Sequence, residues 1–455
     1  MNNVMIKPLI WVMALGGAAT LTGCGDAETT INEKASVVIE DDHDHDHDHG
    51  NGSTAGRLAI IDGDALNAHI YNLADNDLLS IVTLPSMPSA VYATGGYRYA
   101  ALIERNADTV SFIDGGLWQE PHEDHFDTYS IMPSLTSVSL SGSRPTHFVT
   151  HDGQTAIFYD GDAASGNSAS VQIFDDELIE NQSMPMQLNL TMAQHGVAEP
   201  RGEYLLSTIR RDDSESTSAN KVLPDQVGVY HLRDGNYELD IAFDTYCPDL
   251  HGAAQNETHI IFGCSDGVLI VADNGDGNFT ATKLANNQQI AEGLRIGTLW
   301  GHRESTQFMG QASQHGGSQV QFFVIDPTNA SMTLVDWQPK TNATPVARGF
   351  SFEAEQFLIL DNQGYLTVIE PHVEGSNTHW EFGEQLLITQ AGVTAMPAGK
   401  KFLMAIDESA HKAYVSDPIE QHIVIIDLEL LTETAHIELD FSPSMMVWLG
   451  LAASH

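Results

Sequence analysis

The sequence predicts an all-β chain closed into a β-propeller, and three observations carry that prediction. From Arg57 onward, short runs rich in Val, Ile, Phe and Tyr are separated by Gly, Asn, Asp and Ser, with little helical periodicity. One alternating apolar run keeps returning and ends near an acid or a turn. Its copies are His69-Ile-Tyr-Asn-Leu73, Val110-Ser-Phe-Ile-Asp114, Val171-Gln-Ile-Phe-Asp175, Val227-Gly-Val-Tyr-His231, Val268-Leu-Ile-Val-Ala-Asp273, Val320-Gln-Phe-Phe-Val-Ile-Asp326, Tyr365-Leu-Thr-Val-Ile-Glu370 and Ile423-Val-Ile-Ile-Asp427. Their spacing of about 40–60 residues is that of propeller blades, each copy being one blade's third strand. Finally, Met445-Met-Val-Trp-Leu449 reads as an inner strand with no blade of its own. It is expected to complete the N-terminal blade and so remove free edges. A single blade cannot bury both faces of its sheet, so the blades must stack in a ring. The copies predict eight blades; seven is the alternative, since the first and last copies are the least secure.

Ahead of the propeller, residues 1–23 read as a signal peptide. Lys7 supplies the positive charge, and an apolar stretch from Pro8 to Leu21 follows, short and rich in Gly and Ala. It ends in Leu21-Thr22-Gly23-Cys24, which resembles the bacterial lipobox, with Cys24 as the lipidated first residue of the mature chain. Gly25, rather than Asp, follows the Cys, which by analogy with enteric sorting favours the outer membrane. The plainer reading is an ordinary signal peptide that ends near a Cys.

Residues 24–56 form the next segment, expected to be a disordered tether. Asp41 to Gly50 reads DDHDHDHDHG, with His43, His45, His47 and His49 alternating with Asp. A segment without apolar residues cannot build a core. Imidazoles beside carboxylates are good ligands for zinc, copper or nickel, and an unstructured tract can wrap an ion. Residues 57–455 then make up the propeller domain.

Composition restricts the function. A formal charge of −43 with only 19 Lys and Arg argues against nucleic-acid binding, which needs a basic face. Such a surface attracts cations, although adaptation to salt would produce it too. Of three cysteines, assigning Cys24 to lipid leaves Cys247 and Cys264 as an even pair in an oxidising compartment, where a disulfide is expected.

Three histidines share one register. His147 lies nine residues before Ala156, His195 nine before Tyr204 and His251 nine before Ile260, each target beginning an apolar second-strand run. At the same register stand Leu299 in the sixth blade and Arg348 in the seventh. Imidazoles converging from three consecutive inner strands at the channel mouth make a three-His site, with the fourth position left to water, an acid or an incoming donor. The bland alternative is a structural His duplicated with the blade.

Pro121-His-Glu-Asp-His-Phe126 is a second candidate, in an insertion between the third and fourth strands of the second blade. His122 and His125 at i,i+3 can share one face of a helical turn, with Asp124 or Glu123 beside them. The loop could instead fold over the channel and complete the three-His site. Asp273-Asn-Gly-Asp-Gly-Asn278 looks calcium-like but lacks the closing bidentate Glu, and reads as a hairpin turn. His302 and His315 could approach the same rim as the three histidines. Cys247 and Cys264 flank His251, where a disulfide would brace the strand that presents it; a Cys–His metal site is the rival.

Together these residues resemble the AztD-type periplasmic zinc metallochaperones. The matching pieces are Asp41–His49, Gln194-His-Gly196, Cys247-Pro-Asp-Leu-His-Gly252 and Gly263-Cys-Ser-Asp-Gly267. The resemblance implies a zinc chaperone that is not an enzyme. It would deliver zinc to the solute-binding protein of an ABC importer, with the flexible tract helping capture or transfer. The lipobox adds a membrane anchor that soluble members lack. Two other classes compete: a propeller enzyme with a channel metal, either a lactonase-like hydrolase or a quinoprotein-type dehydrogenase, and a non-catalytic interaction scaffold. Such enzymes need acidic calcium ligands or a cofactor cradle, where this register offers His. The absence of a Met/Cys-rich soft site favours zinc over copper.

Overall fold

Alternation of apolar residues explains how the strands assemble. In the strand Gly56–Asp62, Leu58 and Ile60 point to one side of the sheet and Ala59 and Ile61 to the other, and all four are fully buried. Such a strand needs a packed neighbour on both faces, which a radial arrangement of sheets supplies. The computed structural model describes residues 37–38, 56–122, 125–211, 222–314, 317–374 and 377–452. Strands dominate, and the described residues contain one short α-helix, Asp176–Glu180.

Among the described residues the strands pair into eight four-stranded antiparallel units in chain order and one further three-stranded sheet; the third and fourth units also touch through one parallel pairing, Gln187 with Asn236. The chain is a β-propeller. Each repeated run lies on the third strand of its unit, from Asn67–Asn72 in the first to His422–Asp427 in the last. The first unit takes its innermost strand from the C-terminus: Pro443–Gly450 pairs antiparallel with Gly56–Asp62, setting Trp448 opposite Leu58.

Core clusters sit between successive units. Ala59 and Ile61 pack with Ala100 and Leu102 of the second unit. On the opposite face, Leu58 and Ile60 pack with Tyr414, Ile423 and Ile425 of the last unit and with Trp448. The same two-sided pattern repeats around the chain: Phe158 packs toward Leu205, Leu206 toward Ile260, and Ile261 toward Phe308. Contact between the last unit and the first closes the ring, so each four-stranded unit packs against a neighbour on both faces.

The innermost strands surround a central cavity of about 670 Å³. Tyr92, Phe148, Trp300, Phe350, Met404 and Trp448 give it an apolar wall, broken by His151, His302, Arg348 and Glu408.

Candidate metal centre

His147 belongs to the innermost strand of the third unit, Pro145–His151. His195 and His251 stand just before the innermost strands of the next two units, Ala198–Arg201 and Ala253–Gln255. The second strands begin at Gln154, Tyr204 and His259, seven, nine and eight residues after the respective histidines, so the interval of nine counted to the apolar runs holds only approximately for the strands themselves.

Local sequence explains how the last two reach inward. Each is followed by a glycine. A Cβ at Gly196 would collide with the Thr208 hydroxyl and the Phe158 ring, so only glycine lets this segment lie so close. Gly252 adopts φ 73°, and a Cβ there would meet the Gly297 carbonyl. The Gly263 carbonyl accepts the His251 N–H at 3.0 Å, holding the segment to the second strand. Cys247 and Cys264 are joined as a disulfide with 4.9 Å between Cα atoms, clamping the same segment to the end of that strand.

The three half-buried rings converge. Potential ligand atoms of His147, His195 and His251 all lie within 4.8 Å of one another. His147 Nε2 is 3.2 Å from His195 Nε2. Ring centroids are 4.8 Å apart for His147 and His195, 5.2 Å for His195 and His251, and 5.9 Å for His147 and His251. Nitrogens bound tetrahedrally to one zinc at ~2.0–2.1 Å must sit about 3.3 Å apart. One pair therefore already has the spacing of a shared ion, and small ring rotations bring in the third.

Hydrogen bonds on the far sides of the rings select the donor atoms. His251 Nδ1 is 3.0 Å from the Gly297 carbonyl oxygen. A carbonyl only accepts, so Nδ1 carries the proton and Nε2 keeps its lone pair. His195 Nδ1 lies 3.2 Å from Asp160 Oδ2 and donates to that carboxylate. Its Nε2 is then the free donor, oriented as in a carboxylate–histidine–metal arrangement. Asp160 is buried and also takes a hydrogen bond from Arg105 Nη2 at 3.1 Å. Burial pushes its carboxyl up, but hydrogen bonds from His195, Arg105 and Thr146 outweigh this and hold it below the usual carboxylate range. For His147, burial and then the neighbouring rings His195 and His251 push the pKa down to about 4, so it is neutral and a competent ligand at neutral pH. Two unprotonated Nε2 atoms at 3.2 Å repel. Without metal, His147 must donate a proton across that gap; a cation between the rings satisfies both lone pairs.

Asp160, Arg105 and the Gly297 carbonyl were not legible beforehand. Asp160 merely follows a second strand, and no spacing links it to a histidine 35 positions later.

Some expectations need correction. The three histidines stand at or just before the starts of their innermost strands, whereas residues around the 670 Å³ cavity, such as Thr150, His151, Trp300 and Phe350, stand at the ends of theirs. His302 does line that cavity, alongside His151, and is separate from the three-histidine group. His122 and His125 do not share a helical turn. They are directly paired across a hairpin, Leu117–His122 with His125–Ser130, inserted between the third and fourth strands of the second unit. Trp118, Phe126, Thr128 and Tyr129 are aromatic or β-branched residues that favour the extended form over one turn of helix. His122 is exposed and lies 3.3 Å from Asp127. The hairpin's outer edge pairs with Val37–Val38. Asp124, His315, Cys24 and the tract of His43, His45, His47 and His49 lie outside the described residues. Asp273–Asn278 forms a hairpin turn in which Asp273 Oδ2 accepts from Arg201 Nε at 2.8 Å, leaving no calcium cradle.

No known family profile matches the chain. Among curated proteins, it is 24% identical over 408 residues to the zinc chaperone AztD of Citrobacter koseri, covering 87% of each chain. Two structures of Citrobacter koseri AztD superpose with TM-scores of 0.70 (apo) and 0.71, at 23% identity, covering 89% and 88% of this chain and the whole of theirs. The dihydro-heme d1 dehydrogenase NirN is a more distant likeness, with a TM-score of 0.51 at 10% identity over 86% of this chain and 74% of its own. These likenesses establish the propeller fold.

Proposed function

We propose that this chain is a periplasmic zinc metallochaperone that captures zinc and hands it to the solute-binding protein of an ABC zinc importer. The observation that carries the reading is the group of His147, His195 and His251, with two Nε2 atoms at the spacing zinc requires. Similarity to the zinc chaperone AztD over most of both chains supports the same reading. Three imidazole nitrogens, one on an innermost strand and two on segments just before the next two, bind zinc firmly while a fourth position remains for a partner's ligand. Transfer then proceeds by exchange: an incoming donor fills the fourth position before any imidazole lets go. The −43 charge of the chain raises the local cation concentration and steers zinc toward the protein.

The His/Asp tract adds capture capacity outside the propeller. Deleting residues 41–49 is expected to lower total zinc stoichiometry and slow transfer to the apo solute-binding protein, measured with a chelator that intercepts free zinc. The tight site and the melting temperature should stay unchanged. Loss of the tight site in that deletion would make the tract itself a ligand donor. Transfer no faster than passive release from the intact chain would remove the chaperone reading.

Anchoring belongs to the same proposal. Cys24 carries a diacylglyceryl group and holds the propeller at the membrane, outer membrane favoured, through a tether of about 30 residues. Cys24→Ser is expected to release the mature domain or stall processing. If the variant fractionates with membranes as fully as the parent chain, the lipoprotein reading is wrong.

A further inference from the structure

We propose that the turn Asp417 to His422 in the last unit is a second divalent-cation site, with two carboxylate oxygens and one imidazole nitrogen as ligands. Asp417 ends the strand Lys412–Asp417 and His422 begins His422–Asp427, and the two are direct cross-strand partners. Directly opposed residues of a hairpin project from the same face. Asp417 Oδ1 accepts the N–H groups of Ile419 at 2.8 Å and Glu420 at 3.3 Å. These bonds fold the turn, with Gln421 at φ 58°, and bring Glu420 back over the pair. Ligand atoms of Asp417, Glu420 and His422 consequently all lie within 4.8 Å of one another.

An independent observation points to a ligand there. Asp417 is 1% exposed, and its Oδ2 is buried with no hydrogen-bond partner. A turn-capping aspartate elsewhere in the propeller uses this oxygen: Asp273 Oδ2 takes Arg201 Nε, and Asp326 Oδ2 takes Gln307 Nε2 at 3.0 Å. Asp361 also has an unpartnered Oδ2, but no cluster of ligand groups surrounds it among the described residues. A buried carboxylate oxygen without a donor is costly, and a cation offsets that cost. At Asp417 the other two ligands are already assembled.

The donor set selects the cation. Two carboxylates and one imidazole suit a hard or borderline divalent ion such as zinc or manganese, not a soft one such as Cu(I). Both carboxylates are spent neutralising the ion. Glu420 is an exposed side chain whose rotamers close the remaining distance. Exposure on that side also makes the site open to water and faster to exchange than the three-histidine group.

Crystals of the full chain soaked in zinc chloride test this through anomalous difference density at the zinc edge. A peak bounded by Asp417, Glu420 and His422 is expected, together with its loss in the Glu420→Gln/His422→Gln double variant. Absence of that peak in the parent protein overturns the proposal, as does a peak that persists in the double variant. The three-histidine centre is read independently in the same map, so either site can fail without the other.

Discussion

His195→Ala is expected to weaken zinc binding by about a hundredfold, roughly 3 kcal/mol on the scale of ten-fold steps. Two imidazoles would remain, and His147 and His251 have the most widely separated ring centroids of the three pairs, 5.9 Å. The substitution also strips Asp160 of one of the groups that hold its buried charge, so the cost is more than one lost ligand. Zinc should stabilise the parent propeller against heat, because it binds only the folded arrangement, and this stabilisation should vanish in the variant. His231→Ala is the control. That ring stacks on Tyr204 with centroids 4.6 Å apart and lies 3.4 Å from Asp240, away from the group. Titration against a competing chelator decides the matter. If His195→Ala holds zinc as tightly as His231→Ala, the site lies elsewhere, with the hairpin bearing His122 the next candidate.

Replacing both Cys247 and Cys264 by Ala is expected to cost about 3 kcal/mol of stability, from the chain entropy released when a loop of this length is opened. The two residues are 17 apart and fully buried. Alanine avoids placing hydroxyls where no partner exists. The clamped loop contains His251, so zinc affinity should fall as well, though less than in His195→Ala. Denaturant midpoints of parent and variant, both free of metal, measure the first effect. Equal midpoints would show that the bond does not brace this segment.

Much of the fold was legible because its cause is local and periodic. A strand buried on both faces must be apolar at nearly every position, so third-strand runs such as Val110–Asp114 and Val268–Asp273 announce themselves. The strand bearing Met445 and Trp448 was legible for the complementary reason, an apolar run with no unit of its own. By contrast, the i,i+3 spacing of His122 and His125 fits a helical turn and a hairpin equally, and only the cross-strand pairing of Leu117–His122 with His125–Ser130 separates them.

The same division runs through the candidate site. Sequence alone picked out the three histidines, because blade repetition brings residues at similar intervals from successive second strands to neighbouring places in space. It also determined the cysteine pair and the acidity that favours cations. Only the tertiary structure decided what surrounds those histidines. Asp160 orients His195, the Gly297 carbonyl sets the tautomer of His251, and a turn brings ligand atoms of Asp417, Glu420 and His422 within 4.8 Å of one another. The physical reason is range. Periodic burial is written along the chain every two residues, whereas a hydrogen bond between units 35 or 46 positions apart leaves no periodic trace and exists only once the ring has closed.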